Sequence, residues 1–283
     1  MPEITTELVA QLRERTGAGL GDCRRALIQA NGDIEAAIDS LRKKGVATAA
    51  KKAGRATREG AIVQSIAAGA RAGVLVEINC ETDFAAKNDK FQAFCNDIAK
   101  RLLDDPKADL EAARVGIIAE IGENIQIARH VRLEVSGSGT VAAYIHHGAK
   151  VGVLVEVATG NEATLANADY KQLVKDITLQ IAAGSPLAVT RDQVDPALIA
   201  KEMEIAAEQM KDKTQGKPAQ VIEKMVAGKL DKYYQTVCLL DQAFVKQNEV
   251  TIKDHIATVG KSLGDTPTVL HFHRFQIGEA AGA

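Results

Sequence analysis

The sequence predicts an α+β protein: a small three-helix N-terminal module, then a duplicated antiparallel-sheet-plus-helix core with an inserted helical hairpin. Three observations predict it. Residues 4 to 44 carry apolar positions at helical spacing, with Gly or Asn in each gap. The pentapeptide Gly73-Val74-Leu75-Val76-Glu77 recurs letter for letter at Gly152-Val153-Leu154-Val155-Glu156, 79 residues further on. Residues 195–232 form a helical stretch in the second copy that the first copy lacks.

In chain order, Thr5 or Thr6 caps a first helix that shows Leu8, Val9 and Leu12 and ends near Thr16-Gly17. Asp22 is expected to cap a second, carrying Cys23, Ala26 and Leu27 and stopping at Asn31-Gly32. Asp33 caps a third, with Ile34, Ala37, Ile38 and Leu41. Three such helices bury little surface and suit an accessory module that docks elsewhere. The run Lys43 to Arg58 holds Lys43, Lys44, Lys51, Lys52, Arg55 and Arg58 with no acid and no bulky apolar residue after Val46, and reads as a connector. Its functional alternative is a basic arm for phosphates.

The repeat extends without a gap over Gly60–Leu103 against Gly139–Ala182, with twelve of 44 pairs identical. Each copy reads as strand, Gly-containing turn, strand, loop and amphipathic helix, the helices marked by apolar positions 91, 94, 95, 98, 102 and 170, 173, 174, 177, 181. Runs at Ile125–Val135 and Val269–Phe275, each after a helical segment (Leu110–Ile121 and Thr251–Leu263), supply a third strand to each sheet. In the insertion, Asp195-Pro196 starts one helix, Thr214-Gln215-Gly216 turns it, and Pro218 begins the second. The expected division is therefore 1–54 for module and basic linker, 55–138 for copy one, and 139–283 for copy two with its arm at 195–232.

Composition excludes several functions. Lys and Arg number 35 against 37 Asp and Glu, so the net charge of −2 gives no global case for binding nucleic acid. Aromatics are 4% with no Trp, too few for base-stacking platforms. No apolar stretch approaches a membrane span and the N-terminus has no leader-like pattern, so a cytoplasmic location is expected. Cys23, Cys80, Cys95 and Cys238 are scattered and read as reduced thiols, and no metal or cofactor is expected. Gly260-Lys261-Ser262 looks like the end of a phosphate-binding loop but has His255 where the first Gly belongs. Gly17-Ala18-Gly19-Leu20-Gly21 follows a charged helix, where a dinucleotide fingerprint needs a strand. No nucleophile motif is present, so an enzyme is not expected; an acid–base or metal pair of His271 and His273 on one strand face is the remaining enzymatic alternative.

The informative positions are those where the copies differ. His146 and His147 stand before Gly148 at a hairpin end where copy one has Ala67 and Ala68. After the shared strand, copy one reads Asn79-Cys80-Glu81-Thr82-Asp83-Phe84-Ala85 and copy two Ala158-Thr159-Gly160-Asn161-Glu162-Ala163-Thr164. Ala163 opposite Phe84 shows that the scaffold needs no aromatic there. Phe84 either tucks into its own core, with Thr82 or Asp83 capping the next helix, or faces a partner.

The chain resembles the bacterial elongation factor Ts family over nearly its whole length. The resemblance is carried by Leu12-Arg13-Glu14-Arg15-Thr16-Gly17-Ala18-Gly19, Asp22-Cys23, Ala26-Leu27, Asn31-Gly32-Asp33-Ile34-Glu35, Lys51-Lys52-Ala53-Gly54, Glu77–Phe84, Gly122-Glu123-Asn124-Ile125 and His147-Gly148-Ala149. It implies a guanine-nucleotide exchange factor that binds the translational GTPase elongation factor Tu and releases its GDP, with a ubiquitin-associated-like N-terminal module. It also implies that Thr82, Asp83 and Phe84 form a tip entering the GTPase near its Mg²⁺ and phosphate elements. Leu12, Arg13, Thr16, Gly17, Ala18, Gly19 and Arg24 would belong to a docking surface, with Arg24 and Arg25 where the family usually has lysines. His147 and Gly148 would face another domain of the partner. Family members often continue into a C-terminal helix that embraces the partner; here Ile277 to Ala283 follow the last strand, so that contact is expected to be absent. The arm offers self-association. The alternative of another class is an RNA- or ribosome-binding accessory protein using residues 43–58.

Overall fold

A computed structural model of the chain describes residues 4–214 and 219–279. The expected turn at Gln215-Gly216, the helix start at Pro218 and the residues Ala280 to Ala283 lie outside the described residues.

Helix α1 (Thr6–Thr16) begins where Thr5 Oγ1 accepts the Leu8 N–H at 3.3 Å and stops at Gly17, whose φ of 66° only glycine adopts at little cost. Helix α2 (Leu20–Gln29) starts at Gly19. Asp22, expected as its cap, lies inside the first turn instead. The left-handed Gly17 returns the chain to extended backbone by Gly19, so the helix begins earlier, and Asp22 there pairs with Arg25 and Lys44. Helix α3 (Ile34–Lys52) is capped by Asp33, which accepts the Ala36 N–H at 3.0 Å. Val9, Leu12, Cys23, Leu27 and Ala37 close a small core among the three.

Copy one comprises β1 (Glu59–Ile66), β2 (Ala72–Cys80), the single turn α4 (Asp83–Ala86), α5 (Asp89–Asp104), α6 (Glu111–Ile121) and β3 (Ile125–Glu134), with an antiparallel sheet in the order β1-β2-β3. Lys43–Lys52, expected as part of a connector, complete α3. No bulky apolar residue is needed there because Gly45 and Ala49 let the helix lie close on α6: a Cβ at Gly45 would sit 3.2 Å from Val115 Cγ1.

Copy two begins with β4 (Gly139–Ile145), β5 (Val151–Ala158) and α7 (Ala168–Gly184). The arm follows, α8 (Pro196–Thr214) beside α9 (Ala219–Val237). Then come β6 (Ala243–Phe244), β7 (Gln247–Thr251), α10 (Ile252–Leu263) and β8 (Thr268–Gln276), the sheet order being β4-β5-β8. The β6–β7 pair is too short to show a period in the sequence. Helix α9 continues past Lys232 to Val237. Its last turn, with Tyr233, Tyr234 and Val237, packs on Val194, Ile199 and Cys238, while Arg191 pairs with Asp231 and Asp241, each at 2.8 Å.

The two copies fold alike in detail. At the hairpin tips Ala70 and Ala149 both take φ 55°, and both central strands slip register at the same place, Glu77/Ile78 and Glu156/Val157. Period-two alternation sends Val74 and Val76 toward Phe91, Phe94 and Ile98 of α5, and Val153 and Val155 toward Tyr170, Leu173 and Ile177 of α7. Leu75 and Leu154 point the other way, into a layer with Ile62, Val141 and Phe275 between the two sheets. The repeated glycine permits that layer. A Cβ at Gly73 would lie 2.8 Å from Val141 Cγ1, and one at Gly152 would lie 2.4 Å from Ile62 Cγ2. Among the described residues no helix is long and apolar enough to cross a membrane.

Candidate partner-binding site

Phe84 is 82% exposed. Of the other aromatic side chains, Phe91, Phe94, Tyr170, Phe244 and Phe275 are buried and the rest are at least partly covered. Among the described residues Phe84 is thus the one Phe or Tyr side chain displayed to solvent, and it does not tuck into its own domain. The display is rigidly built. Thr82 caps α4, its Oγ1 accepting the Ala85 N–H at 3.2 Å, and Ala85 and Ala86 bury the opposite side of the turn. Asp83, beside the ring, pairs with Lys87 at 2.8 Å, and that hydrogen bond holds its carboxyl below the usual range. Both side chains stay largely in water, so the pair contributes little to stability.

Glu123 grips the turn from behind. Its Oε2 accepts the backbone N–H groups of Glu81 and Thr82, each at 3.0 Å, and its Oε1 accepts the Thr82 hydroxyl at 2.6 Å. Glu81 answers by accepting the Asn124 N–H at 2.6 Å, and the buried Asn124 amide donates to the Arg55 carbonyl at 2.9 Å. Beneath, the Cys80 thiol is pushed up to about 12 by burial and by the Glu123 charge, so it stays protonated and inert. Nothing in the sequence alone gives Glu123 or Glu81 a role. Their contacts reach across more than 40 residues of chain, where no periodicity or spacing reveals them.

The other segments singled out by the sequence converge on the same end of copy one. The α1–α2 turn abuts the end of α6: a Cβ at Gly17 would fall 1.9 Å from Glu120 Oε1, and Glu120 is held by Lys90 at 2.7 Å, near the start of α5. Gly122 and Glu123 follow directly on that helix. Arg13, Gly19 and Arg24 are exposed and Thr16, Gly17 and Ala18 half-buried, whereas Leu12 is fully buried in the module's own core. The hairpin end of copy two, with His146, His147 and Gly148 exposed, leans on β1: the Ile62 N–H donates to the Ala149 carbonyl at 2.8 Å and Lys150 pairs with Glu59. Glu59 is opposite Cys80 in the sheet, two residues before Thr82. One strand therefore connects the histidine tip to the Phe84 turn.

The remaining candidates are placed elsewhere. His271 and His273 line a shallow groove of about 250 Å³ with Leu187, Ala188, Val189, Gln193, Leu270 and Phe272, a lining that holds no carboxylate, hydroxyl or thiol to complete a reactive set. Gly260 is buried in α10, where a Cβ would meet the Asp265 carbonyl at 2.8 Å, so it is a packing position and no phosphate cradle. In the basic run, Lys44 pairs with Asp22, Lys52 with the Gly122 carbonyl and Arg55 with Glu81, and these charges serve the fold. Among the described residues no three His, Cys, Asp or Glu gather where a metal ion could bind.

Comparison with known proteins agrees with the motifs. A family model described as Elongation factor TS matches residues 81–279. Elongation factor Ts of Symbiobacterium thermophilum is 42% identical over 286 residues, covering 99% of this chain and 93% of its own. Those of Nitratidesulfovibrio vulgaris (strain DP4) and Clostridioides difficile (strain 630) are 38% and 41% identical, covering 99% of this chain and 98% and 94% of theirs. A match of this extent spans the helical module, both copies and the arm alike, and with it the chain belongs to the elongation factor Ts family, whose members are not enzymes.

Proposed function

We propose that the protein is a cytoplasmic guanine-nucleotide exchange factor for the translational GTPase elongation factor Tu, working without a cofactor or any bond-making step. The observation that carries this reading is Phe84, an apolar ring 82% exposed on a turn held from behind. A free protein gains nothing from such a display, whereas a partner with a cleft does. In this reading Asp83 and Phe84 enter the GTPase beside its Mg²⁺ and phosphate site. Mg²⁺ demands strict octahedral geometry, so a shift of the order of an ångström in its surroundings raises the nucleotide off-rate.

Docking is then shared between two further surfaces. Arg13, Arg24 and the Thr16–Gly19 turn of a ubiquitin-associated-like module supply one, with Leu12 supporting them from within; His147 and Gly148 supply the other. Linkage requires that nucleotide weaken the factor's binding by the same free energy that the factor weakens the nucleotide's. The test is release of a fluorescent GDP from elongation factor Tu. Catalytic amounts of the protein should speed it, and an unchanged rate at saturating protein would refute the reading.

A further inference from the structure

We propose that Glu123 is the positioning residue of this exchange site, its carboxylate fixing the Glu81–Thr82 turn in the one conformation that presents Phe84 to a partner. The proposal rests on the exchange reading above and deepens it.

Helix α4 has only four residues, too few to persist by its own hydrogen bonds. Its direction is set by what holds its ends. At its start, Thr82 Oγ1 donates its proton to Glu123 and accepts the Ala85 N–H. Because that single proton is committed to Glu123, a lone pair is left facing Ala85, so the carboxylate sets the cap as well as the preceding backbone. Three charge-assisted bonds converge on one side chain, and each is stronger than its neutral counterpart. Glu123 is itself aimed by Gly122, which ends α6 at φ 81°, and by the buried Asn124 next to it. Phe84 makes no comparable contact, so its placement is inherited from this clamp. A wedge delivers its binding energy where it is needed only if it is preorganised.

Copy two contains the same device without the wedge. Gly264 ends α10 at φ 63°, as Gly122 ends α6, and the next residue, Asp265, grips the corresponding loop. Its Oδ1 accepts the Gly160 N–H at 2.7 Å and its Oδ2 the Thr164 hydroxyl at 2.5 Å. There the gripped turn displays Ala163. The carboxylate clamp therefore belongs to the duplicated scaffold, and in copy one the addition of Phe84 turned it to use. Asp265 supplies an internal control: a clamp of the same build whose removal takes nothing from the exchange tip.

The experiment compares wild type, Glu123→Ala, Glu123→Gln, Asp265→Ala, Phe84→Ala and the double variant Phe84→Ala/Glu123→Ala. The readouts are the maximal rate of GDP release, the half-saturating concentration of factor, and amide hydrogen exchange at Glu81 and Thr82 in the free protein. Glu123→Ala should raise amide exchange at those two positions. It should also lower the maximal rate about ten-fold, with half-saturation moving by about two-fold or less. Glu123→Gln keeps the shape but opposes an amide N–H to donors already present. It should fall between wild type and Ala, and it carries the test should the Ala variant not fold. Asp265→Ala should leave both kinetic parameters in place. In the Phe84→Ala background, Glu123→Ala should add no further loss, because it acts through the ring. A wild-type maximal rate in folded Glu123 variants, or losses that multiply in the double variant, would overturn the proposal while leaving the exchange function standing. A wild-type protein that does not accelerate GDP release removes both.

Discussion

Phe84 was legible as a candidate because the chain carries its own comparison: the aligned position is an aromatic in one copy and Ala163 in the other. That contrast could not say whether the ring faced inward, and burial settles it. Glu123 stayed illegible for a physical reason, since two of its three bonds go to backbone N–H groups, which impose no residue type, and the third reaches a Thr82 hydroxyl 41 residues away in the chain. His271 and His273 invited an enzymatic reading through i, i+2 spacing, but a shared strand face is geometry that any such pair has. Burial of the His273 imidazole, with His271 beside it, lowers its pKa below 6.5. The fold therefore favours the neutral ring, and this contribution to stability is complete above about pH 6.5 and is lost as pH falls through the lowered value. Thermal melts between about pH 7 and 5, a range above most carboxylate titration, should show a drop that is shallower in His273→Gln. Parallel slopes for the two proteins would show that His273 titrates as it does when unfolded.

At the scale of elements, helices with bulky apolar stripes were readable and helices packed through small residues were not. The last turns of α3 carry lysines outward and Gly45 and Ala49 inward, a pattern indistinguishable in sequence from a solvated connector. The consequence is that the N-terminal module does not hang on a tether. Removing residues 1–32 should leave the core's melting nearly unchanged and weaken binding to the GTPase. Removing residues 1–54 should also uncover Val115 and lose the Asn124 contact to the Ala53 carbonyl, lowering the melting temperature. Calorimetry of the two truncations checks this, and equal melting would show that α3 contributes nothing to the core. The arm follows the same logic. Replacing residues 206–226 with a short Gly-Ser turn should preserve the core, whereas deletion through Val237 removes Tyr233, Tyr234 and Val237 from a packed cluster and should cost several kcal/mol. Circular-dichroism melts separate the two; a large loss from the shorter replacement would make the whole hairpin part of the core.

At the scale of the molecule, the duplication explains the architecture. Two copies of a sheet and helix stack sheet to sheet through Gly73 and Gly152, and the loops at one end of the pair are free to diverge. The repeat made this α+β architecture readable in advance, because identical pentapeptides fix which face of each central strand is which. What the repeat could not show is that the module, the Phe84 turn and the histidine tip share that end, since those relations arise from contacts between segments far apart in sequence. In the proposed exchange reading, the molecule is a scaffold for one displayed ring that loosens a nucleotide in another protein. The direct measurement takes melting temperature and GDP off-rate on a single preparation of Phe84→Ala. A melting temperature close to wild type is expected, because a side chain already in solvent has little packing to lose, together with a substantial fall in exchange stimulation. A large drop in melting temperature, of the kind that accompanies the about 3–5 kcal/mol loss of a buried Phe, with full exchange activity per folded molecule would contradict it.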